Sequence, residues 1–498
     1  MTFGSIFSRS RWWLPAAAGG VSLLLALGIL FLGPAPVHAA SAPAAGATDA
    51  PLCRFGVNVH LGTGISGISD FDVAPLRAGT YIDYRGNSSP VHPNGMRYIP
   101  VIRLQQTTNG YTYWPTGAAL EEMVLGNAGA PVYIGNEPDR RFYQDDIEPD
   151  VYATAYHDLY TLIKSIDPSM QIFPASIVQA TELRLRYLDL ILAAYREQYG
   201  RPMPVDGWSV HGFILNEQAG QWGAEIPPGL DDRAGMVIDV QQTDDLGIFT
   251  ANIERFRQWM YDNGYRDTPL YLSEYGSLMP NLEYLCGPNG DQCFTEARVN
   301  TYMDATFDYL LNATDAELGF PADDHRLVQH FSWYSTNDKG FNGFLFDEDN
   351  GKALSSMGQN YADYTAAIED VVDVQVVKIW TSPVAPPFDG GPVDLTVHAE
   401  IANSGNLQAP QAADVTFYRG DPDHGGVPLG SAQAVELAGC GERTRVSYTL
   451  EGIDNRANGE QLFVRVAVDG TTDADTANNT ASTIVFFAKA YVYLPMID

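Results

Sequence analysis

Short apolar runs alternate with longer amphipathic stretches from residue 55 to residue 365, and beyond that point the pattern changes. The runs are FGVNVH (55–60), GTYIDY (79–84), RYIPVIRL (97–104), PVYIGNE (131–137), QIFPASIV (171–178), VDGWSVHGF (205–213), PLYLSEYG (269–276) and LVQHFSWYS (327–335). Each is short, rich in β-branched and aromatic residues, and bounded by turn formers, which reads as a buried strand. Between them DVYATAYHDLYTLIKSID (150–167), LRLRYLDLILAAYREQYG (183–200) and FTANIERFRQWMYDNGY (249–265) carry apolar residues at helical spacing. Eight strands alternating with helices over about 310 residues predict an α/β fold of the TIM (β/α)8 barrel type. An open doubly wound sheet is the alternative, but HLGTGISGIS after the first run is a poor phosphate loop without the strand–helix setting such a loop needs.

Residues 371–490 alternate with a period of two instead. VDVQVVKIW, VDLTVHAEIANSG, ADVTFYRG, RVSYTLEG, LFVRVAVDG and STIVFF are separated by Gly, Pro, Asn and Asp. About seven short strands so arranged predict an immunoglobulin-like β-sandwich. The N-terminus carries Arg9 and Arg11, then the apolar VSLLLALGILFLG, then PVHAA, which is the layout of a secretory signal peptide. An uncleaved anchor is the alternative. The expected division is a signal peptide at 1–40, a linker at 41–51, the barrel at 52–370, the sandwich at 371–490 and a tail at 491–498.

Composition narrows the partners. The 498 residues hold 29 Lys and Arg against 61 Asp and Glu, a formal net charge of −32. Such a chain is repelled by nucleic acid and by anionic membrane surfaces, whereas a neutral ligand meets no penalty. The expected product is exported, bound to no membrane once the signal is cleaved, and monomeric. Cys286 and Cys293 in CGPNGDQC read as a disulfide across a Pro-Gly-Asn turn. Cys53 and Cys440 are either free or joined. No cofactor and no metal site is expected.

Two acids stand where predicted strands end: Glu137 in YIGNEPDRRF and Glu274 in YLSEYG. Proline after Glu137 is expected to hold it extended and aim it off the sheet. In a barrel, strand C-terminal ends carry the reactive groups, and two carboxyls flanking one bond are what glycoside hydrolysis needs. Either acid alone also reads as a helix cap.

GNEPD followed far downstream by YLSEYG resembles the clan of retaining glycoside hydrolases built on eight-fold barrels, clan A, with families 128 and 39 as the nearest subgroups. The resemblance covers about residues 52–365. It implies Glu137 as acid/base, Glu274 as nucleophile and Asn136 as the group holding the neighbouring sugar hydroxyl. VDGWSVHGF is similar to the clan's sixth strand, with His211 facing the site. HFSWYS is similar to its eighth, with Trp333 flooring the sugar pocket. Asn58, His60 and Arg103, at the ends of strands one and three, are further candidates for binding sugar hydroxyls. Many relatives carry a tyrosine where this chain has Phe213, so either Tyr275 or Tyr334 takes over the bond to the nucleophile, or the nucleophile is tuned differently, or the site is a decayed one. The C-terminal half, with NSGN and DADTANN, is similar to adhesion-type (CARDB-like) modules of secreted bacterial enzymes. The implied ligand is a β-linked polysaccharide or oligosaccharide. The alternatives are an inactive carbohydrate-binding barrel and a surface adhesion protein.

Overall fold

All eight apolar runs form strands, because each is flanked on both faces by apolar side chains that only a covered sheet can bury. The computed structural model describes residues 50–488 apart from 63, 407, 408, 410 and 442. The expected signal segment, nearly all of the expected linker and the expected tail lie outside the described residues.

In chain order the first half holds β1 (Phe55–Asn58), β2 (Thr80–Ile82), β3 (Arg97–Tyr98), β4 (Val101–Thr107), β5 (Gly110–Trp114), α1 (Ala118–Gly126), β6 (Pro131–Ile134), α2 (Pro149–Ile166), β7 (Gln171–Pro174), α3 (Glu182–Tyr199), β8 (Trp208–His211), α4 (Leu246–Asp262), β9 (Leu270–Tyr275), α5 (Glu296–Asn312), β10 (His330–Tyr334), a small hairpin of β11 (Phe346–Asp347) and β12 (Ala353–Leu354), and α6 (Ser356–Ala366). One sheet has the order β3-β2-β1-β10-β9-β8 and is parallel throughout. A second has the order β5-β4-β6-β7, parallel except for β5. The sheets meet at both edges. β3 and β4 are successive parts of one extended run, the first paired with β2 and the second with β6. At the other side Ile177 bridges Val210 in parallel.

The β4–β5 hairpin was not among the expected elements, although its turn at Asn109-Gly110 is the usual hairpin signal. Alternation sorts the side chains into two layers. Phe55, Phe331 and Trp333 pack with Phe307 of α5, and Phe55 also meets Tyr361 of α6. On the opposite face Ile82, Ile99, Val101, Tyr133 and Phe173 form a separate apolar cluster, which Tyr271 extends. Gly56 sits in that layer because a Cβ there would lie 2.4 Å from Ser332 Oγ and 2.6 Å from Thr80 Oγ1.

The second half holds β13 (Val374–Ser382), β14 (Val393–Asn403), β15 (Ala413–Arg419), β16 (Val427–Pro428), β17 (Gln433–Val435), β18 (Arg443–Ile453), β19 (Gln461–Ala467) and β20 (Thr480–Ile484). These make two antiparallel sheets, β13-β14-β18 and β16-β15-β19-β20, with β17 also on β15. Leu395, Val397, Ala399 and Ile401 of one sheet share a core with Val415, Phe417, Leu462, Val464 and Val466 of the other. Along Leu395–Ile401 of β14, and along β15 and β19, burial follows alternate residues, as the period-two pattern requires.

Two covalent links are present. Cys286 and Cys293 form a disulfide with Cα atoms 3.8 Å apart, and Cys53 is joined to Cys440 across 387 positions. The second bridge resolves the alternatives left for Cys53 and Cys440, and ties the first strand's entry to the β-rich half. Beside it Ala50 is buried and its N–H donates to the Ser404 carbonyl at 3.2 Å.

Arg184 on α3 is wholly buried and holds two loops together, those after β6 and β8. It pairs with Asp139 and, through Nε at 2.6 Å, with Glu217. Its Nη2 donates to the carbonyls of Ala224 and Glu225, each at 2.8 Å. Leaving two buried carboxylates without their cation is costly. Arg184→Met is therefore expected to destabilise the protein by about 3–5 kcal/mol in urea unfolding, and a loss below about 1 kcal/mol would contradict a structural role for the cluster. The double change Cys53→Ser, Cys440→Ser is expected to cost about 2–4 kcal/mol, read the same way, because the bridge restrains nearly the whole unfolded chain.

Candidate active site

β6 ends at Ile134, and the next five residues turn sharply to present Glu137. Gly135 has φ 98° and Glu137 φ 44°, so the acid stands in left-handed backbone. This corrects the expectation that proline would hold it extended. A non-glycine residue there costs of order 1–3 kcal/mol and persists only where its surroundings fix it. They do so from several directions. The Glu137 N–H donates to the Ser176 carbonyl at 3.0 Å. Asp145 Oδ2 accepts from the N–H groups of Asn136 at 2.7 Å and Leu104 at 3.1 Å. Two residues beyond Glu137, Asp139 is locked to Arg184. Burial, partly offset by Arg103, raises the Asp145 carboxyl, and burial, partly offset by Arg184, raises that of Asp139.

Glu137 and Glu274 meet on one imidazole. His211 ends β8, paired with Glu274 of β9 across a register shift. Its Nδ1 lies 3.0 Å from Glu137 Oε1 and its Nε2 lies 3.2 Å from Glu274 Oε2. Glu137 is 2 % exposed and Glu274 8 %. Burial alone would raise the Glu137 carboxyl, but the bond and charge of His211 together with Arg140 hold it below its ordinary value. Arg140 Nη1 is 3.3 Å from Glu137 Oε2. Glu274 is pushed up to about 7 by burial, which outweighs the nearby imidazole, and the charge of Glu137 adds to the rise. Burial disfavours a charged imidazole, yet the two carboxylates raise the His211 pKa. At neutral pH the cluster thus pairs an ionised Glu137 with a Glu274 poised to carry a proton.

The tyrosine facing Glu274 comes from an unexpected strand. Tyr84, just past β2 and at φ 59°, sits beside the Glu274 carboxyl, and its hydroxyl lowers the Glu274 pKa although it closes no hydrogen bond among the described residues. Neither tyrosine expected to do this takes the position. Tyr275 is fully buried against Phe249 and Trp333 on the helix side. Tyr334 donates its hydroxyl to Asp338 at 2.7 Å. Phe213 packs edge-on to His211 and to Tyr334, at 5.8 and 6.2 Å between ring centroids, as an apolar wall.

Trp333 requires a correction. It is 0 % exposed, sits among Tyr275 and Phe307, and donates Nε1 to the Gly343 carbonyl at 2.8 Å. In a strand covered on both faces its neighbours Ser332 and Tyr334 point to the acids' side, so Trp333 belongs to the helix layer and floors no pocket. Arg103 is also otherwise engaged, bonding Asp145 at 2.9 Å and Gln144 at 3.0 Å. The Asn136 amide reaches Gln144 at 3.4 Å. Asn58 is buried and donates to the Ser273 carbonyl at 3.0 Å, while its Oδ1 has no partner. His60 stays exposed on the rim, 3.6 Å from Asp338.

Several rim residues escaped the sequence reading. Phe142 and Tyr143, in the loop after Glu137, are 77 % and 66 % exposed, and Phe142 has φ 72°. Arg140 lies over the Tyr143 ring at 5.3 Å, so one guanidinium touches both that ring and Glu137. Trp222 and Tyr284, in the loops after β8 and β9, are exposed too. Among the described residues no cluster of histidine, cysteine or acid side chains is arranged to hold a metal ion.

No family model matches the chain, and no curated protein matches it. Among solved structures it is similar to a family 51 α-L-arabinofuranosidase from Bifidobacterium longum, with 11% identity, TM-score 0.38, and coverage of 81% of this chain and 96% of that one. A glucosidase from Croceicoccus marinus matches at 12% identity and TM-score 0.41, over 82% of this chain and 95% of that one. A CARDB domain from Pyrococcus furiosus matches at 15% identity and TM-score 0.18, over 24% of this chain and 90% of that one. Superpositions this partial fix neither fold nor activity, and the case for the chain stands on its own residues.

Proposed function

We propose that this chain is an exported glycosidase that cleaves a neutral, β-linked polysaccharide with retention, using Glu137 as acid/base and Glu274 as nucleophile. The carrying observation is that both strand-end carboxyls face one imidazole, with their affinities for a proton pushed apart. That is the condition under which two identical groups take up different tasks. The two parallel sheets are read as one (β/α)8 barrel, supported by the run β3–β4 that belongs to both and by the Ile177–Val210 bridge. Two disulfides suit an oxidising compartment. Exposed aromatics on the loops after β6, β8 and β9 offer flat faces to sugar C–H groups, which suits a polymer. The β-rich half is read as an immunoglobulin-like module held against the barrel.

One observation favours a second assignment. Burial raises the proton affinity of Glu274 while His211 and Arg140 lower that of Glu137, which suits Glu274 as the acid and Glu137 as the base or nucleophile. The same variants separate the two. With Glu137 as acid/base, Glu137→Gln loses about 10²–10⁴-fold on a polysaccharide yet spares the first step for a leaving group that departs without a proton. Glu274→Gln then abolishes turnover on every substrate. The reversed pattern would exchange the roles, and near wild-type rates in both variants would sink the hydrolase reading. Proton NMR of the first-formed sugar anomer tests retention, and an inverted product would refute it.

The pH profile follows from the pair. Below the lowered Glu137 pKa both carboxyls are protonated and no nucleophile or base remains; above about 7 both are ionised and no acid remains. A bell-shaped kcat/KM with its alkaline limb near pH 7 is expected. Because the Tyr84 hydroxyl lowers the Glu274 pKa, Tyr84→Phe should move that limb to higher pH. A limb that stays in place would show that Tyr84 does not act on the pair.

A further inference from the structure

A groove of about 670 Å³ opens beside the β4–β5 hairpin, where β5 faces the first turns of α2 and the last turn of α3. None of the residues lining it belongs to the Glu137–His211–Glu274 cluster. Its volume falls within the roughly 300–1,000 Å³ of small-molecule sites. The walls carry one consistent chemistry. Tyr111 and Tyr113, two apart on β5, stand on one face with ring centroids 6.3 Å apart and planes inclined by 31°. Asn109 and Gln198 contribute amides, Thr154 a hydroxyl and Asp150 a carboxylate. Among the described residues no lysine or arginine lines the groove.

The parts are already fixed in position. The Tyr111 hydroxyl donates to Asp158 of α2 at 2.7 Å, which pins the hairpin to the helix. Gln198 accepts from Thr154 Oγ1 at 3.0 Å and donates to the Asp150 carbonyl at 3.0 Å, joining α3 to α2 across the groove floor. Flat aromatic faces suit the C–H faces of sugar rings, while amides and a carboxylate suit their hydroxyls. A phosphate, sulfate or uronate would meet Asp150 with no cation to hold it, in a chain of formal charge −32.

We propose that this groove is a second, non-catalytic binding site for a short stretch of neutral oligosaccharide. The ligand class comes from the groove's own lining, so the site stands whether or not the glutamates hydrolyse anything. The test uses full-length protein carrying Glu274→Gln, run through native gels containing soluble β-glucan, mannan, xylan or arabinan. Retardation by at least one glycan is expected, and Tyr113→Ala added to that background should weaken binding of the matching hexasaccharide at least about tenfold in calorimetric titration, by loss of one stacking face. Gln198→Ala, an exposed change at a helix end, should weaken it as well. Tyr113→Ala alone should leave the hydrolysis of small aryl glycosides unchanged. Retardation that Tyr113→Ala weakens, in a protein whose wild-type form hydrolyses nothing, would support the groove while removing the catalytic reading. The groove proposal is overturned if no glycan retards the protein, or if both variants bind as tightly as their parent.

Discussion

The buried ion cluster of Arg184, Asp139 and Glu217 is the constraint on which the site's geometry rests. Three charged side chains without solvent are expensive to assemble, and hydrophobic replacements of equal shape often cost less. What the cluster provides is placement. Arg184 reaches from α3 to the turn carrying Glu137, and to the loop after β8, through both carboxylates and the carbonyls of Asp139, Ala224 and Glu225. Asp145 clamps the opposite end of the same turn through two backbone N–H groups and Arg103. Between these anchors Glu137 is kept in a left-handed conformation that its own sequence disfavours.

That placement decides the electrostatics. Once Glu137 is aimed at β8, a single imidazole contacts both acids, and the three groups share their charge. Glu137 gains the better hydrogen bond and a guanidinium, while Glu274 keeps an oxygen without a hydrogen-bond partner. The difference in protonation arises from this unequal support, since both carboxyls are similarly buried. Tyr84 works against the difference, its hydroxyl lying beside Glu274 at the end of β2.

The two halves are joined where the chain enters the first strand. Cys53 and Ala50 lie in a small apolar cluster with Cys440, and the Ala50 N–H donates to the Ser404 carbonyl at 3.2 Å. The β-rich half is thus fastened close to β1, with a covalent bond and a backbone hydrogen bond rather than apolar area alone. The acidic surface and the scarcity of lysine leave arginine to form most of the fixed ion pairs, as its planar, multiply donating group suits.

The sequence by itself determined where strands and helices lie, because hydrophobic periodicity and turn residues are local. It located both acids at strand ends, and the Cys286–Cys293 bridge across a short turn. The β4–β5 hairpin is also legible in its Asn-Gly turn, although the apolar run itself ends at Leu104. Tertiary structure alone decided the rest. HFSWYS is covered on both faces, so it has no polar side to reveal which residues point toward the acids, and Trp333 was assigned to the wrong one. Proline at position 138 predicts an extended Glu137, but distant segments override it, Ser176 directly and Arg184 and Arg103 through Asp139 and Asp145. Tyr84 bears no local mark, and Cys53 pairs with a residue 387 positions away. Which elements form is encoded in neighbours along the chain. Which faces and charges meet is settled only when distant segments pack, because each contact there depends on a partner that local pattern does not name.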